Sequence, residues 1–116
     1  MKKDCIFCKI ADGRIKEEIL YQDDDLFVVR DIYARAKTHL LIITKEHYSD
    51  FSEMMRKNPG LVTKIGIVVE KMVDQLHIRD ISRWGYTWGF HCGGKESVSH
   101  THAQLLAEMK QNEFVL

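Results

Sequence analysis

The sequence carries no excess of charge of either sign and no long hydrophobic run. Lysine and arginine together number 17, as do aspartate and glutamate, so the formal net charge is zero. A chain without net basicity has no general attraction for a nucleic-acid backbone. No segment approaches the roughly 20 apolar residues with which a helix spans a membrane. We therefore expect neither nucleic acid nor a membrane among the partners of this protein.

Cysteine is scarce and odd in number. The three cysteines cannot all pair within one chain, and the N-terminal segment MKKDCIFCKI lacks the apolar run of a signal peptide. Both features favour a reducing compartment over a disulfide framework. We therefore expect a cytoplasmic protein.

Internal repeats, low-complexity tracts and linkers are also lacking from the 116 residues. This length suits one compact domain and is too short for two ordinary ones. Hydrophobic residues make up 45% and charged residues 29%, a globular composition that excludes disordered and fibrous proteins. We expect a single domain over residues 1–116.

Apolar runs separated by turn-forming residues predict the strands. Residues 19–21 and 26–29 flank three consecutive aspartates, which suit a hairpin turn. Residues 38–44, THLLIIT, form an unbroken apolar run that is typical of a strand buried on both faces. The aromatic span 83–90 and the span 98–106 are predicted to be two later strands.

One helical pattern dominates the middle of the chain. The chain's one proline, Pro59, suits the first helical position, and Asn58 before it suits the cap. Strands, one long helix, a shorter helical segment and further strands predict an α+β fold with a mostly antiparallel sheet. The apolar residues that recur there at spacings of three and four are Leu61, Ile65, Val68, Met72 and Leu76.

Cys5 and Cys8, in CIFC, have the spacing of half a structural zinc site, in which thiolates from one short loop bind the metal. A redox motif would follow a strand in a thioredoxin-like unit, yet only four residues precede Cys5. Both cysteines are otherwise small buried hydrophobic residues. His47, at the polar end of the third strand, and His100 would complete a closed tetrahedral zinc site. The alternative for His47 is a solvated side chain.

The segment SVSHTHAQLL sets His100, His102 and Gln104 at every second position, so that a strand would place all three on one face. His102 is a candidate nucleophile, provided that a group such as a backbone carbonyl across the loop holds its other ring nitrogen. The alternative is a histidine satisfied in the core or at an edge. The glycine-containing loop HCGGKES before the strand offers backbone N–H groups to an anion.

Four segments in order, DCIFCKI, RDI, THLLIITKEHY and SVSHTHAQLL, resemble the successive blocks of the histidine-triad superfamily. The resemblance covers Asp4 to Leu106 and implies the fold of that superfamily. The usual His-x-His-x-His motif has Gln104 at its third position here. This variant is similar to the galactose-1-phosphate uridylyltransferase and diadenosine tetraphosphate phosphorylase branches.

The resemblance implies a chemistry for the motif. His102 would attack the α-phosphorus of a nucleotide and form a nucleotidyl-histidine, while the amide N–H of Gln104 would bind a phosphate oxygen. His39 would help to orient the motif. The resemblance also implies a zinc ion bound by Cys5, Cys8, His47 and His100.

The resemblance further implies the nucleotide site. Asp31 would bind the ribose hydroxyls, Ile32 and Val29 would lie against the base, and Ser97 would bind phosphate. His91 would replace an asparagine of the phosphate loop.

The leading hypothesis is an enzyme that hydrolyses or transfers a nucleoside monophosphate group. One alternative is a nucleotide-binding module with little turnover, since Glu96 puts negative charge beside the expected phosphate. The other is a zinc-stabilised interaction protein. A homodimer is expected, because members of the superfamily commonly join two sheets edge to edge and residues 83–90 leave several aromatics for one small domain to cover. The alternative is that Trp84, Tyr86 and Trp88 fill the core.

Overall fold

The computed structural model describes residues 4–93 and 98–109. Within these ranges the chain forms an α+β fold in which one sheet carries four helices, which confirms the predicted fold class. None of the described helices has the length and apolar character needed to cross a membrane. The elements in chain order are α1 (Ile6–Ala11), β1 (Tyr21–Gln22), β2 (Leu26–Arg30), β3 (Thr38–Thr44), α2 (Phe51–Lys57), α3 (Gly60–Gln75), α4 (Ile78–Ile81), β4 (Tyr86–Gly89) and β5 (His102–Ala107).

The sheet has the strand order β1-β2-β3-β5-β4, and each neighbouring pair is antiparallel. The central pair, β3 and β5, sets Leu41 opposite Gln104 and Ile43 opposite His102. This register brings residues about sixty positions apart onto one face. The edge strand β4 has only β5 as a neighbour among the described residues.

The first hairpin forms where the three aspartates predicted it. The Asp23 carboxylate accepts hydrogen bonds from the backbone N–H groups of Asp25 and Leu26, at 2.8 and 2.9 Å. A short polar side chain that binds the backbone two or three residues ahead stabilises a tight turn. The strand before the turn is shorter than predicted, since β1 begins at Tyr21.

The two faces of the sheet pack against different helices. One face, with Leu40, Ile42 and Leu105, packs against the apolar stripe of α3. The other face packs against α1 through Phe7 and remains open beside it. Since side chains alternate along a strand, residues 102 and 104 of β5 lie on the face away from α3. The long helix therefore supports the sheet and leaves the opposite face for ligands.

The long helix has the predicted stripe but a different start. Pro59 is the cap of α3, and Asn58 instead ends α2, where its N–H donates to the Met54 carbonyl at 2.7 Å. The Asp50 carboxylate caps α2 by accepting from the Glu53 N–H at 2.8 Å, and the Glu53 carboxylate accepts from the Ser49 N–H at the same distance. This reciprocal cap accounts for a helix immediately before Pro59.

Candidate functional site

His100 and His102 lie on the same side of the sheet, as expected, because both rings pack edge-on against Phe7 of α1, although His100 lies outside the strand itself. Strand β5 begins at His102, and Thr101 before it is bonded to the segment after β3. Its N–H donates to the Tyr48 carbonyl at 2.8 Å, and its hydroxyl donates to the Asp50 carbonyl at 2.7 Å. His100 is fully buried beside α1, while His102 and Gln104 are half-buried on the open part of the same face.

His100 lies in a cluster of thiol and imidazole groups. Its Nδ1 is 3.2 Å from Cys5 Sγ and 3.5 Å from Cys8 Sγ, and Cys8 Sγ is 3.3 Å from His47 Nδ1. All four potential ligand atoms lie within 4.8 Å of one another. We call these four residues the Cys/His cluster.

The spacing of the Cys/His cluster fits a tetrahedral metal ion. Bonds of about 2.0–2.3 Å to sulfur and nitrogen imply tetrahedral edges of about 3.3–3.8 Å, close to the three distances above. His100 Nε2 donates to the Thr44 carbonyl at 2.6 Å, which orients Nδ1 toward the thiols. Burial lowers the pKa of His100 to about 4, so the ring is in the neutral form that binds metal. The donor set is therefore suited to a soft or borderline divalent cation such as zinc.

The two cysteines come from a helix start and not from the loop that their spacing suggested. Cys5 is the cap of α1, and its Sγ accepts from the Cys8 N–H at 3.4 Å. One turn of helix brings both thiols to the same side. Between them Phe7 points to the sheet and packs edge-on against His100 and His102, with centroids 5.7 and 5.2 Å away.

His102 has one ring nitrogen fixed by the backbone. Its Nδ1 lies 2.7 Å from the carbonyl oxygen of His100. A carbonyl only accepts, so Nδ1 carries the proton and Nε2 of the neutral ring carries the lone pair. The holding carbonyl belongs to the residue two positions earlier and not to one across the loop, as had been expected. The ring is half-buried on the open face of the sheet.

Gln104 is held by two donors at one oxygen. Its Oε1 is 2.9 Å from His39 Nε2 and 2.7 Å from Arg35 Nη2. The Arg35 backbone N–H donates to His39 Nδ1 at 3.0 Å, so Nε2 is the protonated nitrogen of the neutral His39 ring. Burial lowers the pKa of His39, which favours this neutral form. The amide orientation of Gln104 therefore presents its NH₂ group as a donor.

A cleft of about 410 Å³, the first cleft, opens beside His102. Asp31 stands at its rim, where Oδ1 accepts from the Tyr33 N–H at 2.8 Å and Oδ2 lies 3.3 Å from His39 Nε2. Ile32 is 72% exposed there and offers an apolar surface without a cover. The described lining of this cleft includes Phe7, Ile10, Val29, Asp31, Ile32, Leu41, His102 and Gln104.

A second cleft, of about 360 Å³, lies over β4 and β5. The structure places His91 here and not in the first cleft, together with Arg35 and Gln104. Ser97, predicted to bind phosphate, lies outside the described residues. Sequence reasoning missed Arg35, although a basic residue between RDI and THLLIIT was the signal available.

Three comparisons place the chain among known proteins. The family model for the scavenger mRNA decapping enzyme, C-term binding, matches residues 4–115. The adenosine 5'-monophosphoramidase HINT3 of Danio rerio is 34% identical over 115 residues, 96% of this chain and 69% of that protein. An uncharacterised HIT-like protein of Methanocaldococcus jannaschii is 44% identical over 50 residues, 43% of this chain and 39% of that one. The solved structure of a HIT family hydrolase from Clostridium thermocellum has a TM-score of 0.88 and 29% identity, with both chains covered completely.

Proposed function

The chain belongs to the histidine-triad superfamily, and on that premise we propose that it is an enzyme that moves a nucleoside monophosphate group from a nucleotide to water or to another acceptor. The observation that carries this proposal is the hydrogen bond between His102 Nδ1 and the His100 carbonyl, 2.7 Å long. It leaves Nε2 of this half-buried imidazole as the candidate nucleophile, and His102 lines the first cleft. Such a nitrogen is a competent nucleophile near neutral pH.

The reaction has two displacements at phosphorus. His102 Nε2 attacks the α-phosphorus, an N–P bond forms, and the bond from phosphorus to the leaving group breaks with its electron pair on the leaving group. Water or another acceptor then attacks the same phosphorus, and the N–P bond returns its electrons to Nε2. The His100 carbonyl stabilises the positive charge that the ring gains on bonding to phosphorus.

Gln104 would bind the phosphoryl oxygens during both displacements. Its NH₂ group is the donor end, since Oε1 is occupied by His39 and Arg35. A neutral amide stabilises negative charge on oxygen but exchanges no proton at ordinary pH. A leaving group or acceptor that is already an anion suits this site better than one that needs a general acid or base.

The first cleft suits the nucleoside. Its apolar walls, among them Val29 and Ile32, offer a surface for a base, and the Asp31 carboxylate at the rim offers acceptors for ribose hydroxyls. The volume of about 410 Å³ is in the range of small-molecule sites. The relative from Danio rerio is named for acting on an adenosine monophosphate derivative, which supports a nucleotide as the substrate class.

We assign zinc to the Cys/His cluster. Bound zinc would supply rigidity and no open coordination position, because four protein ligands close the tetrahedron. The consequence for catalysis is indirect: an ordered His100 ring fixes the carbonyl that holds His102.

The homodimer and the cytoplasmic location stay predictions, and the edge strand β4 is the surface that a second copy would pair with.

The proposal is tested by intact-mass measurement after incubation with a panel of nucleoside diphosphate sugars, dinucleoside polyphosphates and nucleoside phosphoramidates. We expect a mass increase of one nucleoside monophosphate in the wild type and none in His102→Ala. His77→Asn is the matched control, since His77 is exposed and its left-handed backbone, with φ of 56°, is tolerated by asparagine. If the protein binds nucleotide but is neither labelled nor able to turn it over, it is a nucleotide-binding module and not an enzyme.

A further inference from the structure

The first and second clefts meet at Gln104. Among the described residues that line them, Gln104 alone belongs to both. His102 lines only the first cleft, and Arg35 lines only the second. A phosphorus atom bound between His102 and the Gln104 amide would therefore lie where the two clefts join. The second cleft would then accommodate the other substituent of that phosphorus, the one that is not the nucleoside.

The two clefts differ in charge. The first contains the carboxylates of Glu17 and Asp31, with Arg30 as its cation. The second contains the cationic Arg35 and the titratable His91, and no carboxylate among its described lining residues. Carboxylates repel a phosphate, whereas a guanidinium binds one through two parallel hydrogen bonds. The charges favour an uncharged nucleoside in the first cleft and an anion in the second.

Arg35 is held in a position to bind such an anion. Its backbone N–H donates to His39 Nδ1 at 3.0 Å, and its Nη2 donates to Gln104 Oε1 at 2.7 Å. The guanidinium has five N–H donors, and the bond to Gln104 uses one of them. Because Gln104 holds one edge of the planar group, fewer rotamers are lost when a ligand binds to the rest.

We propose that the second cleft is a binding site for a phosphate group attached to the leaving group or carried by the acceptor, and that Arg35 selects for that anion. This inference rests on the proposed function, because it assigns the α-phosphate to His102 and Gln104. It narrows the substrate class to nucleotides whose α-phosphorus bears a further phosphate. It makes inorganic phosphate or a phosphorylated molecule the preferred acceptor over water.

The reaction balances without a proton donor in this site. When His102 Nε2 bonds to the α-phosphorus, the bond from phosphorus to the bridging oxygen breaks and both electrons stay on that oxygen. The departing phosphate carries this charge, and the Arg35 guanidinium offsets it. In the second displacement an oxygen of the bound phosphate attacks, the N–P bond breaks, and the electron pair returns to Nε2.

Equilibrium binding tests the site apart from catalysis. The probes are adenosine 5'-monophosphate and adenosine 5'-diphosphate, which differ by the phosphate that would reach the second cleft. We expect Arg35→Ala to weaken diphosphate binding about 10- to 100-fold and monophosphate binding less than about threefold. Arg35→Lys should retain part of the preference for the diphosphate over the monophosphate, because lysine keeps the positive charge but lacks the paired donors. Arg56→Ala, at an exposed arginine of α2, is the matched control and should change neither affinity.

Turnover supplies the second measurement. kcat/KM is compared for a nucleoside phosphoramidate, whose amine leaving group has no phosphate, and for a nucleoside diphosphate sugar. We expect Arg35→Ala to reduce kcat/KM for the diphosphate sugar about 10- to 100-fold more than kcat/KM for the phosphoramidate. If Arg35→Ala lowers kcat/KM equally for both substrates and affinity equally for both probes, Arg35 only positions Gln104. If it lowers none of them, Arg35 neither positions Gln104 nor binds phosphate. Either result overturns the phosphate site.

The two proposals fail in different ways. If the wild type prefers the diphosphate through Arg35 but neither labels nor turns over, the phosphate site stands and the enzyme proposal falls. If His102 is labelled and Arg35→Ala loses nothing selectively, the enzyme proposal stands and the phosphate site falls. If the wild type binds neither nucleotide, both fall.

Discussion

The carbonyl oxygen of His100 accepts a hydrogen bond from Nδ1 of His102 at 2.7 Å, and this bond joins the Cys/His cluster to the open face of the sheet. The side chain of His100 points to the thiols of Cys5 and Cys8, while its backbone holds the ring that faces the first cleft. We therefore expect a change at the cluster to alter the position of His102.

Metal content is the first prediction. We expect about one equivalent of zinc in the purified protein, and loss of it in Cys8→Ser, because a thiolate is the stronger ligand and Cys8 is fully buried. Cys92→Ser is the control, since Cys92 is exposed and outside the cluster. Metal analysis and thermal unfolding are the measurements. Less than about half an equivalent in the wild type, or unchanged zinc in Cys8→Ser, would count against the site.

Gln104→Glu isolates the amide donor. A glutamate keeps an oxygen for His39 and Arg35 but replaces the NH₂ group with a second oxygen that repels phosphate. We expect kcat/KM to fall by about 100-fold or more, with little change in unfolding temperature. Gln22→Glu, on the exposed side of β1, makes the same chemical change far from the clefts and should leave kcat/KM unaltered. Equal activity of the two variants would remove Gln104 from the mechanism.

Gln104→His tests the preference for an anionic acceptor. An imidazole at this position can move a proton to or from water, whereas the amide cannot. In the presence of millimolar phosphate, we expect the wild type to give mainly the nucleoside diphosphate and Gln104→His to give a larger share of the monophosphate. Product ratios by chromatography measure this. A wild type from which phosphate never diverts product would be a hydrolase and not a transferase.

The buried neutral His39 predicts how stability depends on pH. Burial lowers its pKa in the folded protein below the ordinary value of 6.5, so the unfolded chain binds the proton more tightly. The contribution of the neutral ring is fully present above about pH 6.5 and is lost as pH falls toward the folded-state pKa. We expect the difference in unfolding free energy between the wild type and His39→Gln to shrink over that interval. A difference that is constant or grows on acidification would show that His39 is not held neutral.

Two isoleucines of α3 test the packing that supports the site. Ile65 is fully buried under the sheet, and Ile67 on the same helix is 53% exposed. Ile65→Ala should lower the unfolding free energy by about 2–5 kcal/mol, and Ile67→Ala by about 0.5 kcal/mol or less. Denaturant unfolding at equilibrium measures both. Similar losses of unfolding free energy in the two variants would mean that α3 does not pack against the sheet through the face that carries Ile65.

The predicted homodimer is tested by sedimentation. Strand β4 is an edge, and Trp84 just before it is 44% exposed, so a second copy has both backbone groups and apolar surface to pair with. We expect a single species of twice the chain mass at micromolar concentration. A monomer throughout this range would end the proposal.

Local patterns in the sequence determined much of the fold. The spacing of Ile65, Val68 and Met72 placed the long helix on one face of the sheet, because side chains three and four positions apart share a helix face. The alternation along β5 placed His102 and Gln104 together, since the side chains of a strand alternate. Each of these inferences depends on neighbours within a few residues, which the sequence shows directly.

Tertiary structure alone decided where β5 begins and what surrounds Gln104. Thr101, immediately before the strand, is bonded to the Tyr48 and Asp50 carbonyls, which lie about fifty positions away. Arg35 reaches Gln104 across 69 positions only because β3 and β5 pair in one register. Hydrogen bonds between distant segments depend on strand order and register, and a linear pattern of residue types contains neither.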